Sequence, residues 1–141
     1  MGEIRTFRDL EAWKIGMQLV ESAYRLTAYF PDAERYGLVS QMRRAAVSIP
    51  SNIAEGNAVN RPKWTIRHVL DAIGSSCEFD TQLEAALRLR FCTPEDAAEV
   101  LRQLGRVQKL LYGLKRERER RLATAGTVIS IVVAAVVHWM R

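Results

Sequence analysis

The stretch Gln41-Met-Arg-Arg-Ala-Ala-Val-Ser-Ile-Pro-Ser-Asn-Ile-Ala-Glu-Gly56 decides how this chain folds. With Leu38 just upstream, the apolar positions Leu38, Met42, Ala45, Ile49 and Ile53 recur at spacings of four, three, four and four, which places them in one seam along a helix. A seam of that period faces other helices. Beside it, Gln41, Arg44, Ser48, Asn52 and Glu55 recur at three, four, four and three, so a wholly polar row runs along the adjoining face. The row is open to two readings. It is either a solvated face, or a hydrogen-bond network between helices or subunits or a ligand-contacting groove, for which its mixture of amide, guanidinium, hydroxyl and carboxylate is suited. Pro50 falls inside the pattern. It removes one backbone hydrogen bond and predicts a kink, with Ser48 and Ser51 near enough to satisfy the groups it frees.

Upstream, Thr6 followed by Asp9 has the spacing of a capping box, and Leu10, Trp13, Met17, Val20, Tyr24 and Ala28 follow at threes and fours as an expected inward row. Pro31 ends this first helix, because proline cannot continue the ladder and displaces Phe30 from helical geometry. The second helix is expected from just after Asp32. Downstream, Asn57 to Lys63 reads as a turn, with Pro62 suited to the first turn of a third helix running to about Arg90. Ile66, Val69, Leu70, Ile73, Cys77, Leu83 and Leu87 are its expected inward positions, around a thin middle of Ala72, Gly74, Ser75 and Ser76. Asp80 and Glu84 lie near that seam and are expected at an inter-subunit surface or paired with Arg43 or Arg44. Thr93-Pro94-Glu95-Asp96 is a strong helix start: Thr93 caps, Pro94 takes the first position and two acids face the positive end of the helix dipole. Leu101, Leu104, Val107, Leu111 and Leu114 then give the fourth seam. Four runs with short connections and no period-two alternation predict an all-α, up-down-up-down antiparallel four-helix bundle over residues 1–121, with an apolar extension over residues 122–141.

Phe30-Pro31, Glu34, Gly37-Leu38, Gln41, Arg43-Arg44-Ala45, Ser48-Ile49 and Asn52-Ile53-Ala54-Glu55-Gly56 together resemble the signature of the four-helix-bundle family named for proteins encoded in 23S ribosomal RNA intervening sequences. Phe7, Leu10 and Trp13 resemble its first-helix motif, and Ala72, Gly74-Ser75, Glu78, Thr81 and Leu83 its third. The likeness covers about residues 4 to 120. It departs at Pro62, where relatives often carry a serine. The resemblance implies a homo-oligomer, with pentameric rings known for relatives, and kinship with accessory proteins that assist reverse transcriptases in diversity-generating retroelements.

At 141 residues and 26% charged, the chain is sized for one domain with one core. Its two cysteines, Cys77 and Cys92, stand fifteen apart with no CxxC pair, so neither a disulfide framework nor a zinc site is signalled, and reduced thiols suit the cytoplasm. The N-terminal Met-Gly-Glu-Ile-Arg-Thr-Phe has no apolar core of the kind a secretory signal needs. Catalytic chemistry is sparse. Of two histidines, His68 sits on a helix flank and His138 near the end, and a lone helical histidine is more often structural than catalytic. Di-iron bundles need Glu-x-x-His pairs, whereas Glu55, Glu78 and Glu84 are followed three residues on by Ala58, Thr81 and Leu87. No phosphate loop, nucleophile elbow or HExxH is present, so neither a cofactor nor an enzymatic role is expected.

A net charge of +5 and a pI near 9.6 permit an anionic partner. Arg43 and Arg44, the group Arg61, Lys63 and Arg67 beside Trp64, and Lys115 and Arg116 in the fourth helix are the candidate cations for RNA or DNA phosphates. In a ring, each patch is multiplied by the number of subunits. The competing role is a structural interaction bundle. Between Leu122 and Met140 there is no formal charge, a run that as a helix extends about 28 Å. It stands open as a membrane anchor, as a fifth helix or arm packed on a neighbouring subunit, or as a disordered, aggregation-prone end.

Overall fold

A computed structural model describes residues 6–139, with side chains as far as residue 136. Met1 to Arg5, Met140, Arg141 and the side chains of Val137, His138 and Trp139 lie outside the described residues, and with them the expectations for the extreme N-terminus, His138 and the tail's last residues. The chain forms four helices, α1 (Glu11–Thr27), α2 (Leu38–Ala58), α3 (Pro62–Arg88) and α4 (Pro94–Trp139), and no strand among the described residues. Each helix packs on its neighbour in sequence, and α1 closes the ring against α4. This is the all-α, up-down-up-down bundle that the four periodic runs demand, because short connections leave successive helices antiparallel.

The α2 seam packs as its spacing predicts: Met42, Ala45, Ile49 and Ile53 are buried and Leu38 is half-buried. Pro50 is also buried, and α2 continues through it to Ala58. Local side chains support the carbonyls around it, Ser51 Oγ donating to Val47 O at 2.8 Å and Asn52 Nδ2 to Ser48 O at 3.0 Å. Ser48 itself bonds across to α3 instead. The start of α2 is later than expected. Asp32–Glu34 forms a 3-10 turn, and Glu34 Oε2 accepts the orphan N–H of Leu38 at 3.0 Å, so the helix begins at Leu38. Likewise, the Thr6/Asp9 capping box is present but caps the 3-10 turn Phe7–Asp9, with α1 beginning two residues later.

The inward row of α1 is rotated from its expected face, whereas α3 keeps Val69, Ile73 and Leu83 and α4 keeps Leu104, Val107 and Leu111 inward, and each departs only in part. In α1 the buried row is Ala12, Ile15, Leu19, Ala23 and Leu26. Trp13 and Val20 are half-buried and Met17, Tyr24 and Ala28 exposed, so the helix carries a second apolar stripe outside the core. In α3 the buried row is Val69, Ala72, Ile73, Ser76, Phe79, Leu83 and Ala86, whereas Leu70 and Cys77 face outward. Asp80 and Glu84 are exposed too, and Glu84 pairs with Arg88 on its own helix at 2.6 Å, with no ion pair from Asp80 or Glu84 to Arg43 or Arg44 among the described residues. In α4, Ala97, Val100, Leu104, Val107 and Leu111 are buried, leaving Leu101 exposed and Leu114 half-buried.

The turn from α3 to α4 is closed by Arg90, whose φ of 60° is left-handed, with Phe91 N–H donating to Ala86 O at 2.9 Å and Arg90 N–H to Leu87 O at 3.0 Å. Phe91 then packs its ring on Phe30, 5.8 Å away. At the start of α4, Thr93 N–H and Oγ–H both donate to Asp96 Oδ2 at 2.9 Å, and Asp96 N–H returns to Thr93 Oγ1 at 3.2 Å. The Thr93 backbone bond, reinforced by its hydroxyl, holds the Asp96 carboxyl below its ordinary range. A lowered carboxyl pKa stabilises the fold above the unfolded value and loses that contribution as pH falls through the folded one. Thr93→Ala keeps that backbone bond but removes the hydroxyl that both supports Asp96 and caps the helix, and is expected to lower the urea midpoint at neutral pH. The difference from wild type should shrink on acidification below the ordinary carboxylate range.

The tail is not a separate element. α4 runs without interruption from Pro94 to Trp139, beyond the end of the bundle where α3 begins. Ion pairs one turn apart support the helix up to residue 121, Lys115 with Glu119 at 3.0 Å and Arg121 with Glu117 at 2.5 Å. Beyond Leu122, every described side chain is exposed. Among the described residues, no helix is long and apolar enough to cross a membrane.

Candidate nucleic-acid interface

The polar row of α2 divides at its middle. Toward the C-terminal end it is drawn into α3: Ser48 Oγ lies 2.9 Å from Ser75 Oγ, and Asn52 Nδ2 donates to Ser48 Oγ at 3.1 Å. With that amide nitrogen committed, Asn52 Oδ1 is the acceptor, so His68 Nδ1, 3.1 Å away, carries the proton and donates to it. Glu55 Oε2 stands 3.6 Å from the same nitrogen. Trp64 Nε1 donates to Glu55 O at 3.3 Å, and its ring lies 4.6 Å from the His68 ring. Trp64 thus closes the bundle end with its N–H engaged and one face covered. Gly56 makes this approach possible, because a Cβ there would meet His68 Cβ at 2.9 Å while Thr65 Oγ1 donates to Gly56 O at 2.8 Å. His68 is buried, with Nε2 unpartnered among the described residues.

The other half of the row, Gln41 and Arg44, is exposed. Here a cleft of about 650 Å³ is lined by Tyr24 of α1, Arg35 and Tyr36 of the connection, and Val39, Ser40, Arg43, Arg44, Val47 and Ser48 of α2. Three guanidinium groups line it and no carboxylate does. Arg43 is held in place: Nε donates to Thr27 Oγ1 at 2.9 Å, and the guanidinium lies 4.4 Å from the centre of the Tyr24 ring. Arg35 and Arg44 form no ion pair among the described residues. Tyr36 is 90% exposed, a large aromatic surface held next to cations with nothing packed upon it.

The candidate cations therefore separate into three groups. Arg43 and Arg44 share the cleft. Arg61, Lys63 and Arg67 are exposed at the start of α3, about 20 Å from Arg44 along α2 at 1.5 Å per residue. Lys115 and Arg116 stand on α4 where it leaves the bundle. Lys115 is already paired with Glu119, whereas Arg116 has no ion pair among the described residues. Sequence reasoning passed over Arg35, Tyr24 and Tyr36. The signal was the polar Arg35-Tyr36 dipeptide beside Gly37, too irregular for a helix and brought into one cleft with Arg43 and Arg44 once α2 begins at Leu38. Elsewhere, a groove of about 400 Å³ between α1 and α4 is lined by Arg25, Cys92, Asp96 and Glu99 among others. Burial, then the Asp96 charge, pushes the Cys92 thiol up, which keeps it protonated and unreactive. No group of three metal-ligating side chains occurs among the described residues.

Fold and cleft together define an all-α bundle protein with a basic, tyrosine-flanked surface between its first two helices. The 23S rRNA-intervening sequence protein family matches residues 8–113, and the chain belongs to that family. The match ends where α4 leaves the bundle, so the projecting part of α4 lies beyond it. No curated protein matches the chain.

Proposed function

We propose that this protein is a non-enzymatic, homo-oligomeric accessory protein of the cytoplasm that binds RNA or DNA along the cleft between α1 and α2. The cleft itself carries the proposal: Arg35, Arg43 and Arg44 with no carboxylate among its lining residues, and Tyr24 and Tyr36 beside them. Guanidinium groups bind phosphate oxygens in pairs, and exposed tyrosine rings stack bases without regard to sequence. A reverse transcriptase, the partner that family kinship suggests, extends the same proposal.

Assembly is supported by the second apolar stripe of α1. Trp13, Met17 and Val20 line, with Val47, Pro50 and Ala54 of α2, a groove of about 310 Å³ next to the basic cleft. A second copy seated there would bring two clefts close together and sum their fields. The same groove favours the alternative role, a bundle whose only business is protein assembly.

Purification without nuclease, followed by mass and absorbance ratio on one sample, tests both. The expected result is a mass several times 16.0 kDa, with nucleic-acid absorbance that high salt removes. Met17→Asp with Val47→Asp should lower the mass. An oligomer free of nucleic acid, and unable to bind it when added, would favour the assembly role, and a monomer with protein-like absorbance would remove both.

A further inference from the structure

The projecting end of α4 is apolar on more of its circumference than a partner helix needs. Val128, Ile129, Ile131, Val132, Val133 and Val136 are each 50–64% exposed. At 100° per residue these six side chains occupy an arc of about 200°, whereas a helix that packs on one side needs a stripe of about 100°. Between residues 128 and 136 the remaining positions are Ser130, Ala134 and Ala135. The hydroxyls along the rod are turned inward to its own carbonyls: Thr124 to Arg120 O at 3.0 Å, Thr127 to Ala123 O at 3.1 Å and Ser130 to Gly126 O at 3.0 Å. Among the described residues beyond Leu122, the rod therefore offers no unsatisfied side-chain polar group to a medium that cannot hydrogen-bond.

At its root the charge changes abruptly. Residues 115–121 carry five cations and two carboxylates, a net charge of +3, and no charge follows through residue 136. Both carboxylates are engaged, Glu117 by Arg121 and Glu119 by Lys115, which leaves Arg116, Arg118 and Arg120 without an ion pair among the described residues. Arg61, Lys63 and Arg67 lie at the same end of the bundle, where α3 begins. A collar of cations around the base of a rod that is apolar over more than half its circumference is complementary to one kind of surface, an anionic headgroup layer over hydrocarbon.

We propose that the apolar end of α4 inserts into a lipid bilayer containing anionic phospholipid, with Arg116, Arg118 and Arg120 on the headgroup phosphates. The occupant is lipid rather than a second copy, because one helix alongside would cover half of the arc and leave the cations unmatched. Residues 122–136 extend about 21 Å, less than the roughly 30 Å of hydrocarbon in a bilayer, so this part of the rod penetrates the layer without crossing it. The bundle and its α1–α2 cleft would stand clear of the surface. This inference does not depend on nucleic acid occupying the cleft.

Flotation of the nuclease-treated full chain with vesicles of phosphatidylcholine, or of phosphatidylcholine with phosphatidylglycerol at three to one, tests it. The wild type should float with the anionic vesicles. Ile129→Asp with Val132→Asp should reduce flotation at least tenfold on both compositions, with circular dichroism and mass in vesicle-free buffer unchanged. Arg116→Gln, Arg118→Gln and Arg120→Gln together should weaken binding to the anionic vesicles by roughly fivefold per cation, and leave binding to the neutral ones unaffected. A wild type that floats with neither composition overturns the proposal. So does flotation indifferent to the two aspartates, and so does an aspartate pair that lowers the oligomer mass where the wild type binds no vesicle, which would give the rod to another copy of the chain.

Discussion

Phe79→Ala should lower the unfolding free energy by about 3–5 kcal/mol, the range for emptying a fully buried aromatic site. Phe79 is fully buried and stands in the C-terminal half of α3. Its neighbours on the inward row are Ala72, Ser76, Leu83 and Ala86, three of them too small to reach into the space the ring would vacate. The cavity would stay open, which puts the cost toward the upper end of the range. For a domain stable by about 5–15 kcal/mol, this is a large share, visible in the urea midpoint and as a fall of roughly 10–20 °C in melting temperature. Leu70→Ala is the companion measurement. Leu70 is 45% exposed, so its removal should cost under about 1 kcal/mol. The pair reads directly which face α3 buries. Equal losses, or a larger loss at Leu70, would mean that α3 presents its other face to the core.

Which face a helix buries marks the boundary of what the residues announce. The α2 seam could be read because its flanks are polar or small, so only one face of the helix is apolar enough to bury. α1 has two apolar stripes about 140° apart. Trp13, Met17, Val20 and Tyr24 lie on the outer one, and the core takes Ala12, Ile15, Leu19, Ala23 and Leu26, a row that fills the interior with its Ile and Leu side chains and admits close approach at its two alanines. Spacing is the same for both stripes, so periodicity cannot choose between them. Phe79 was hidden differently, standing between Glu78 and Asp80 on a row, 72-76-79-83-86, whose other members are mostly small. The continuity of α4 was hidden by composition. The change from charged to apolar at residue 122 reads as a boundary, yet no proline or capping residue stops the helix there, and ion pairs support it up to that point and hydroxyl back-bonds beyond it. Of the site, the cations were legible and their sharing-out was not. Whether a lysine is already paired, as Lys115 is with Glu119, or a guanidinium anchored, as Arg43 is on Thr27, depends on neighbours that only the folded chain supplies.

Arg35→Gln with Arg44→Gln should reduce the salt dependence of nucleic-acid binding by about 1.4–1.8 in the slope of log affinity against log salt, since each phosphate contact contributes about 0.7 for single strands and 0.9 for duplex. At 0.1 M salt that slope corresponds to an affinity loss of roughly 20- to 60-fold. These two arginines are chosen because neither makes an ion pair among the described residues, so glutamine removes charge without stranding a carboxylate. Arg43 is a poorer probe. Its loss would also break the bond to Thr27 and the contact with Tyr24, mixing stability with binding. Lys115→Gln is the control, because a phosphate there must displace Glu119 and the expected change in slope is small. Strand length adds a second dimension. The patch of Arg61, Lys63 and Arg67 lies about 20 Å from Arg44, so an oligonucleotide of a few residues should feel only the cleft, while a longer one should also respond to Gln at those three positions. Loss in the longer strand alone would move the principal contact to the start of α3. An unchanged slope with both lengths, in a protein of unchanged mass and helicity, would take nucleic acid out of the cleft and leave Tyr36 and its arginines to a protein partner.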